Sequence, residues 1–322
     1  MSSNELPTQS LDLIVHGRQI EADRIVVLDL RRADGLPLPR FDAGAHIDLH
    51  LSPQVVRQYS LSNDPAESHR YVIGVLLDAA TRGGSVAVHA LQPGQTVRTS
   101  QPRNSFALHA GDAPALLLAG GIGVTPLKSM MHALAQRQVD FALHYFPRSR
   151  TAAAFLSDFA MPPFEGRVNL HFDDERAGAA PWAPELTVRP DGHIYICGPA
   201  GFIERATASM VERGVDAATI HVEHFAAAAP SAEGERFVVE AVRSGVRVTV
   251  EPWETIAQAF DRAGLQVLTS CEQGLCGVCL TRVIAGLPDH RDDFQTEAEK
   301  LSNEKITICC SRSRSPVLQL DL

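Results

Sequence analysis

The sequence predicts three domains of different architecture: an antiparallel β-barrel, an α/β domain on a parallel sheet, and a small α+β domain at the C-terminus. Three observations point there. A chain of 322 residues exceeds what one hydrophobic core usually serves. The apolar pattern changes after about residue 108, from short evenly spaced strands to strands alternating with helices. Ala226-Ala-Ala-Ala-Pro-Ser-Ala-Glu-Gly234 is small and aperiodic, so it reads as a linker. The expected boundaries are 1–108, 109–226, a linker over 227–235, and 236–322.

In the first part, strands are expected at Leu11–Val15, Ile25–Leu30, His46–Leu51, Gln58–Leu61, Tyr71–Leu77 and Thr96–Thr99. Gly, Pro, Asp and Asn punctuate them, as in small antiparallel barrels. In the second part, Ala115–Ala119, Phe141–Phe146, Val168–Phe172 and His193–Cys197 are short, continuous apolar runs. Helical stretches at Leu127–Arg137 and Phe202–Arg213 lie between or after them, which implies a doubly wound parallel sheet. In the third part, Phe237–Val242 and Val246–Val250 flank Ser244-Gly245 as a hairpin, and Thr255–Ala263 reads as a helix. No internal repeat is visible.

Composition narrows the function. Hydrophobic residues make up 45% and charged residues 21%, as in soluble globular proteins. A formal charge of −9 argues against nucleic acid and anionic membranes as partners, because their phosphates repel it. No apolar run approaches the ~20 residues that span a bilayer. The first residues lack the basic and apolar regions of a signal peptide, so a cytoplasmic protein is expected. Five of the six cysteines crowd into the last fifth of the chain, which suggests a metal rather than a disulfide framework.

Cys271-Glu-Gln-Gly-Leu-Cys276-Gly-Val-Cys279 has the spacing C-x4-C-x2-C, and Cys309 follows after 29 residues. An iron–sulfur cluster needs soft thiolates, three of them from one tightly curved loop, and this is the plant-type [2Fe–2S] spacing. Gly274 and Gly277 permit backbone conformations that aim N–H groups at cluster sulfurs. A structural zinc site favours two short C-x2-C hooks, and only one occurs here. Cys309 and Cys310 fall on an expected strand, Lys305–Ser311, so alternation should point only one of them at the cluster. Cys309 is expected to be the ligand and Cys310 a small core residue beside Ile306 and Ile308.

Ala119-Gly120-Gly121-Ile122-Gly123-Val124-Thr125-Pro126 joins a buried strand to a helix. Thr125 suits the N-cap and Pro126 the first helical position, leaving a helix N-terminus facing a pyrophosphate. Cys197-Gly198-Pro199 ends a second strand in the same way, and two such turns at one sheet edge make a dinucleotide crevice. G-x-G-x-x-G itself is missing, so this is not the ordinary Rossmann fingerprint. Arg57-Gln-Tyr59-Ser60 alternates, with Arg57 and Tyr59 on one face and Ser60 opposite. Arg57 can neutralise a phosphate, and Tyr59 can lie against a flavin ring or its ribityl chain. Arg82-Gly83-Gly84-Ser85 opens a short helix and can bind a second anion.

The order of these motifs resembles the ferredoxin–NADP reductase superfamily. With the cysteine loop at the C-terminus, nearly all of the chain resembles the phthalate dioxygenase reductase and vanillate demethylase reductase family. The resemblance implies an antiparallel flavin-binding β-barrel, an α/β parallel-sheet nucleotide-binding domain and a β-grasp-like α+β ferredoxin domain. It implies FMN, a [2Fe–2S] cluster, NADH as donor and a Rieske-type oxygenase as partner. It assigns Arg57, Tyr59, Ser60, the main chain of Gly74, Val75 and Leu76, and Arg82, Gly83, Gly84 and Ser85 to FMN. Thr125 should touch the flavin, Phe225 should lie beside its ring, and Gly120, Gly121, Gly123, Pro126, Cys197, Gly198 and Pro199 should line the nucleotide site. Some relatives carry basic residues where this chain has Leu76 and Leu77.

The expected reaction is a relay in which NADH gives a hydride to the flavin, and electrons then pass singly through the cluster to the oxygenase. A reductase for a diiron hydroxylase and a nonenzymatic redox sensor are the alternatives. Domain order disfavours the first and the intact cofactor motifs disfavour the second. His46, Asp48 and His50 share a strand face expected to be solvated. His221 and His224 are expected to be structural, and Asp173-Asp174-Glu175 to be a solvated loop. Arg148 and Arg150 leave the coenzyme's 2′-phosphate open.

Overall fold

The structure is a computed structural model describing residues 10–52, 55–78, 83–175, 186, 188–225, 235–269, 274, 277–292 and 294–322. Arg82, Cys271, Cys276 and the linker segment 226–234 lie outside the described residues. Packing divides the chain into two compact units: residues within 1–51 and 58–225, and residues within 52–57 and 226–322.

Six antiparallel strands come first: β1 (Leu11–Ala22), β2 (Ile25–Arg32), β3 (His46–Ser52), β4 (Val55–Ser60), β5 (Tyr71–Leu76) and β6 (Thr96–Thr99). Their order is β4-β3-β6-β1-β2-β5. Leu61, just past β4, bridges to Ile73 in β5, and the Ser62 N–H donates to the Val72 carbonyl at 2.8 Å. The two edges of the sheet therefore meet and it closes into a barrel. Alternate residues fill the interior: Leu13 and Val15, Val26, Leu28 and Leu30, Ile47 and Leu49, and Tyr71 and Ile73. Helix α1 (Gly84–Ala90) adds Val88 to that core, and the His89 ring hydrogen-bonds the Val75 carbonyl at 2.9 Å.

The other face of β3 corrects the sequence expectation. His46 and Asp48 are each only 4% exposed, and His50 alone is solvated. Arg103 donates to the Asp48 carboxylate at 2.7 Å, and the Ser100 hydroxyl accepts from the Asp48 N–H. Strand alternation cannot foresee a partner arriving 55 residues later.

The parallel sheet comprises β7 (Ala115–Gly120), β8 (Phe141–Phe146), β9 (Val168–Leu170), β10 (His193–Gly198) and β11 (Ile220–His224), in the order β11-β10-β7-β8-β9. Helices α2 (Val124–Gln136), α3 (Leu156–Phe159) and α4 (Ala200–Glu212) accompany it. Leu117, Ala119, Leu143 and Tyr195 cluster with Leu127, Met130 and Met131 of α2. Leu116, Leu118, Ile194 and Ile196 cluster with Phe202, Ile203 and Met210 of α4. Both faces are covered, which is why these strands read as continuous apolar runs. Each such side chain is worth roughly 1.5–3 kcal/mol on burial.

The second unit holds β12 (Phe237–Ala241), β13 (Val246–Val250), helix α5 (Ile256–Arg262), β14 (Leu280–Ala285), β15 (Pro288–Asp289), helix α6 (Glu297–Ser302), β16 (Lys305–Thr307), β17 (Arg312–Ser313) and β18 (Val317–Leu320). The main sheet is mixed, in the order β13-β12-β18-β14-β16, with β12 and β18 parallel. Thr255 with Gln258, and Thr296 with Glu299, form reciprocal capping boxes at the starts of α5 and α6. Arg312 is 2% exposed and donates to the carbonyls of Glu254, Glu251, Glu235 and Pro252, so its buried charge is satisfied by backbone dipoles. Among the described residues, no helix is long and apolar enough to cross a membrane.

Candidate functional site

The strand order reverses between β7 and β10: β8 follows β7 on one side and β10 lies on the other. Such a switch point leaves a crevice beyond the C-terminal strand ends. Register brings both glycine turns to it, because Ala119 pairs with Cys197 and Gly120 and Gly198 come next. A Cβ on Gly198 would lie 2.9 Å from the Gly120 Cα, and one on Gly123 would lie 2.2 Å from the Cys197 carbonyl oxygen. A Cβ on Gly120 would meet the Phe202 ring at 2.8 Å. Gly123 and Gly198 are thus demanded by closeness of backbone, Gly120 by the Phe202 ring, and Gly121 by its left-handed φ of 53°. Pro199 is the extended residue before α4, as expected.

Thr125 differs from the expectation. A 3-10 turn, Gly121–Gly123, leads directly into α2, so Thr125 lies inside the helix and caps nothing. Its hydroxyl donates to the Ile122 carbonyl at 3.0 Å, and Pro126 is buried in the same first turn. The extra turn moves the helix start upstream of the residue best suited to cap it.

Thr125 nonetheless meets the barrel. A Cβ on Gly74 would lie 2.9 Å from the Thr125 methyl and 3.3 Å from the Phe155 ring. Gly74, Val75 and Leu76 of β5 therefore border the N-terminal turn of α2, with Val75 buried and Leu76 exposed. On β4, Arg57 and Tyr59 are half-buried and Ser60 is buried. Gly83 takes a left-handed φ of 79° ahead of α1, where Gly84 and Ser85 are buried. The Ser85 hydroxyl exchanges hydrogen bonds with Asp78 N–H and C=O, both at 3.1 Å, tying the end of β5 to the start of α1.

A residue the sequence reading passed over sits beside these. In β11, Glu223 pairs in register with Cys197. The Cys197 thiol, itself fully buried, donates to the Glu223 carboxyl at 3.9 Å, and Ser60 also hydrogen-bonds it. Burial pushes the Glu223 carboxyl up to about 8, against the effect of both partners, so it is protonated at neutral pH. Burial and the Glu223 carboxylate push the Cys197 thiol up as well. The only sequence signal was an acidic residue in a strand that neighbours β10. Phe225 follows one residue past the pairing of His224 with Gly198 and is 38% exposed.

His221 is structural, its ring hydrogen-bonded to His193 at 2.9 Å and stacked on Tyr195. Asp173–Glu175 is an exposed 3-10 turn. The Arg150 guanidinium covers the Phe172 ring at 4.5 Å and lies 3.9 Å from Glu175.

In the second unit, Cys279 and Cys309 are 5% and 4% exposed and belong to one apolar core with Ile306 and Ile308. Gly274 and Gly277 have φ of 73° and 70°, the left-handed region that admits glycine cheaply. These residues fit a cluster bound through thiolates: two buried cysteines share one core, and the glycines of the loop have a backbone conformation that can turn N–H groups inward. Strand alternation does not separate Cys309 from Cys310, however. β16 stops at Thr307, and residues 308–310 form a turn. Cys310 is the less buried thiol and hydrogen-bonds Cys309, which draws it down to about 7.

A family model described as the 2Fe-2S iron-sulfur cluster binding domain matches residues 239–314. Vanillate O-demethylase oxidoreductase of a Pseudomonas species is 44% identical, covering 97% of this chain and 100% of that one. The phenoxybenzoate dioxygenase subunit beta of Ectopseudomonas oleovorans is 43% identical, covering 97% of each chain. The solved structure of phthalate dioxygenase reductase, described as modular for electron transfer from pyridine nucleotides to [2Fe–2S], covers 98% of both chains at 33% identity and a TM-score of 0.74. Barrel, switch-point crevice and cysteine domain recur in the same order along the whole length, and the chain belongs to the family of vanillate O-demethylase and phthalate dioxygenase reductases.

Proposed function

We propose that this protein is the reductase component of a Rieske-type aromatic oxygenase or demethylase system, with NADH as donor, FMN as flavin and one [2Fe–2S] cluster. The observation that carries the reading is the meeting, at one sheet edge, of the two glycine turns with Ser60, Cys197 and Glu223. When bound, the flavin accepts a hydride and releases electrons one at a time, and the cluster carries single electrons.

The chain's own residues supply position and exclusion of water. Gly120, Gly121, Gly123, Gly198 and Pro199 let a dinucleotide approach the backbone, and the buried Cys197 and half-buried Glu223 border the nicotinamide end with neutral groups. Tyr59, Ser60, Thr125 and the main chain of Gly74–Leu76 hold the flavin, and Phe225 borders its ring. Arg57 and Arg82–Ser85 suit the terminal phosphate of FMN, and FAD would need room for an adenylate beyond it. Cys271, Cys276, Cys279 and Cys309 hold the cluster, and a reducing compartment such as the cytoplasm keeps their thiolates free. The domains fall at 1–108, 109–226 and 236–322. The preference for NADH rests on the family resemblance, and the exposed Arg148 and Arg150 are the residues to test for a 2′-phosphate contact.

The test is reconstituted turnover with a Rieske oxygenase component and its aromatic substrate, alongside chromatography of the heat-released flavin. Product formation with NADH, and recovery of FMN, are expected. Turnover only with a diiron hydroxylase, recovery mainly of FAD, or a higher specificity constant for NADPH would each remove the corresponding part.

A further inference from the structure

Cys309 and Cys310 stand on the same side of a turn, where an extended strand would have separated them. β16 ends at Thr307, the Cys310 N–H donates to the Thr307 carbonyl at 3.4 Å, and the two cysteine side chains hydrogen-bond each other. Cys310 is also directed at the cluster loop. A Cβ on Gly274, which lies between Cys271 and Cys276 in sequence, would fall 2.6 Å from the Cys310 sulfur. The Thr307 hydroxyl, 3.3 Å away, and the Ser311 hydroxyl, 3.8 Å away, hold that sulfur in place. Thr307 and Ser311 are fully buried and hydrogen-bonded to each other at 3.0 Å, so the seat is rigid. An ordinary core cysteine has no need of two buried hydroxyls around its sulfur.

We propose that Cys310 is a reserve ligand of the [2Fe–2S] cluster: with the Cys309 sulfur removed, the Cys310 sulfur takes the fourth position. The exchange is balanced. Cys310 gives its S–H proton to solvent and forms one iron–sulfur bond in place of the one Cys309 would have made, with no change in oxidation state. The Cys310 sulfur already lies against Gly274, which falls in sequence between Cys271 and Cys276. The inference rests on the reading of Cys309 as resident ligand.

The experiment compares Cys309→Ala and Cys309→Ser, each with and without Cys310→Ala, in the full chain. Iron and acid-labile sulfide are counted, and visible circular dichroism and the electron paramagnetic resonance spectrum are recorded. Flavin content reports independently on the first unit. Both Cys309 single variants should keep their iron and sulfide with a shifted resonance spectrum, while each double variant should lose about tenfold or more. Cys310→Ala alone should keep its iron and the wild-type spectrum. Equal iron in Cys309→Ser and its double partner, or cluster loss in both Cys309 single variants with flavin retained, overturns the proposal. Loss of cluster from Cys310→Ala, with Cys309→Ala spectrally unchanged, also overturns it by making Cys310 the resident ligand. Failure of the wider functional reading is distinct, since it shows as a wild-type protein with no [2Fe–2S] spectrum.

Discussion

The crevice of the parallel sheet and the cysteine loop both depend on glycine, for different physical reasons. In the crevice, Gly120 and Gly123 have ordinary φ values of −99° and −60°, and a side chain is excluded because the Phe202 ring and the Cys197 carbonyl lie there, while Gly121 between them has a left-handed φ of 53° and open space. In the cysteine loop, Gly274 and Gly277 have left-handed φ and are also crowded, Gly277 by the Phe294 ring at 2.3 Å from a built Cβ. The crevice is a matter of space between rigid strands. The loop is a matter of backbone conformation beside a ring that is 46% exposed and can swing away. Glycine in the first case records a neighbour; in the second it records the chain's own path.

That contrast can be broken by substitution. Gly123→Ala should have the largest effect, because its methyl would press on the Cys197 carbonyl, which the β7–β10 ladder holds. A loss of about 3 kcal/mol is expected, together with slowed flavin reduction by NADH in stopped flow. Unchanged reduction and unchanged melting would show that the strands move apart freely, and the spatial account would fail.

Glu223→Gln sharpens the comparison by removing the charge question from the crevice. The folded-state value of about 8 lies above the ordinary 4.5, so between them the folded protein keeps a proton that the unfolded chain releases. Stability from this site should therefore fall as pH rises from about 5 to above 8. In Glu223→Gln that slope should disappear, so the variant gains stability relative to the wild type as pH rises toward ~8.5. Parallel pH–melting curves for the two proteins would show that Glu223 ionises normally.

Gly277→Ala should cost least in stability, about 1–2 kcal/mol, the usual penalty for a left-handed non-glycine residue. Phe294→Ala in the same chain should relieve crowding without restoring that conformational cost. If the double variant regains full wild-type stability and iron content, crowding rather than φ governs the loop, and the two regions are alike after all.

Much of the architecture was legible before any coordinates. Turn residues between short runs marked the barrel strands, and continuous apolar runs marked strands covered on both faces, because tight turns need those residues and burial on two sides leaves no polar face. The cysteine spacing and the two glycine turns were legible for a similar reason: a cluster or a pyrophosphate constrains residues close together in sequence. Where a single local feature decided the outcome, the reading slipped. Thr125 looked like a cap, but the 3-10 turn ahead of it started the helix early. Cys309 and Cys310 looked like opposite faces of one strand, but the strand ended four residues sooner, at Thr307.

What the sequence alone determined is the set of short-range signals: domain order, strand and helix types, the thiolate motif and the glycines. What only the tertiary structure decided is which distant groups meet. Asp48 is buried because Arg103 reaches it, and Glu223 keeps its proton because packing of β11 beside β10 withdraws it from water, against the hydrogen bonds from Cys197 and Ser60. The reason is physical. Patterning along a chain reports which side of an element is buried, whereas a buried charge or a shifted pKa depends on partners brought in by strand register from tens of residues away.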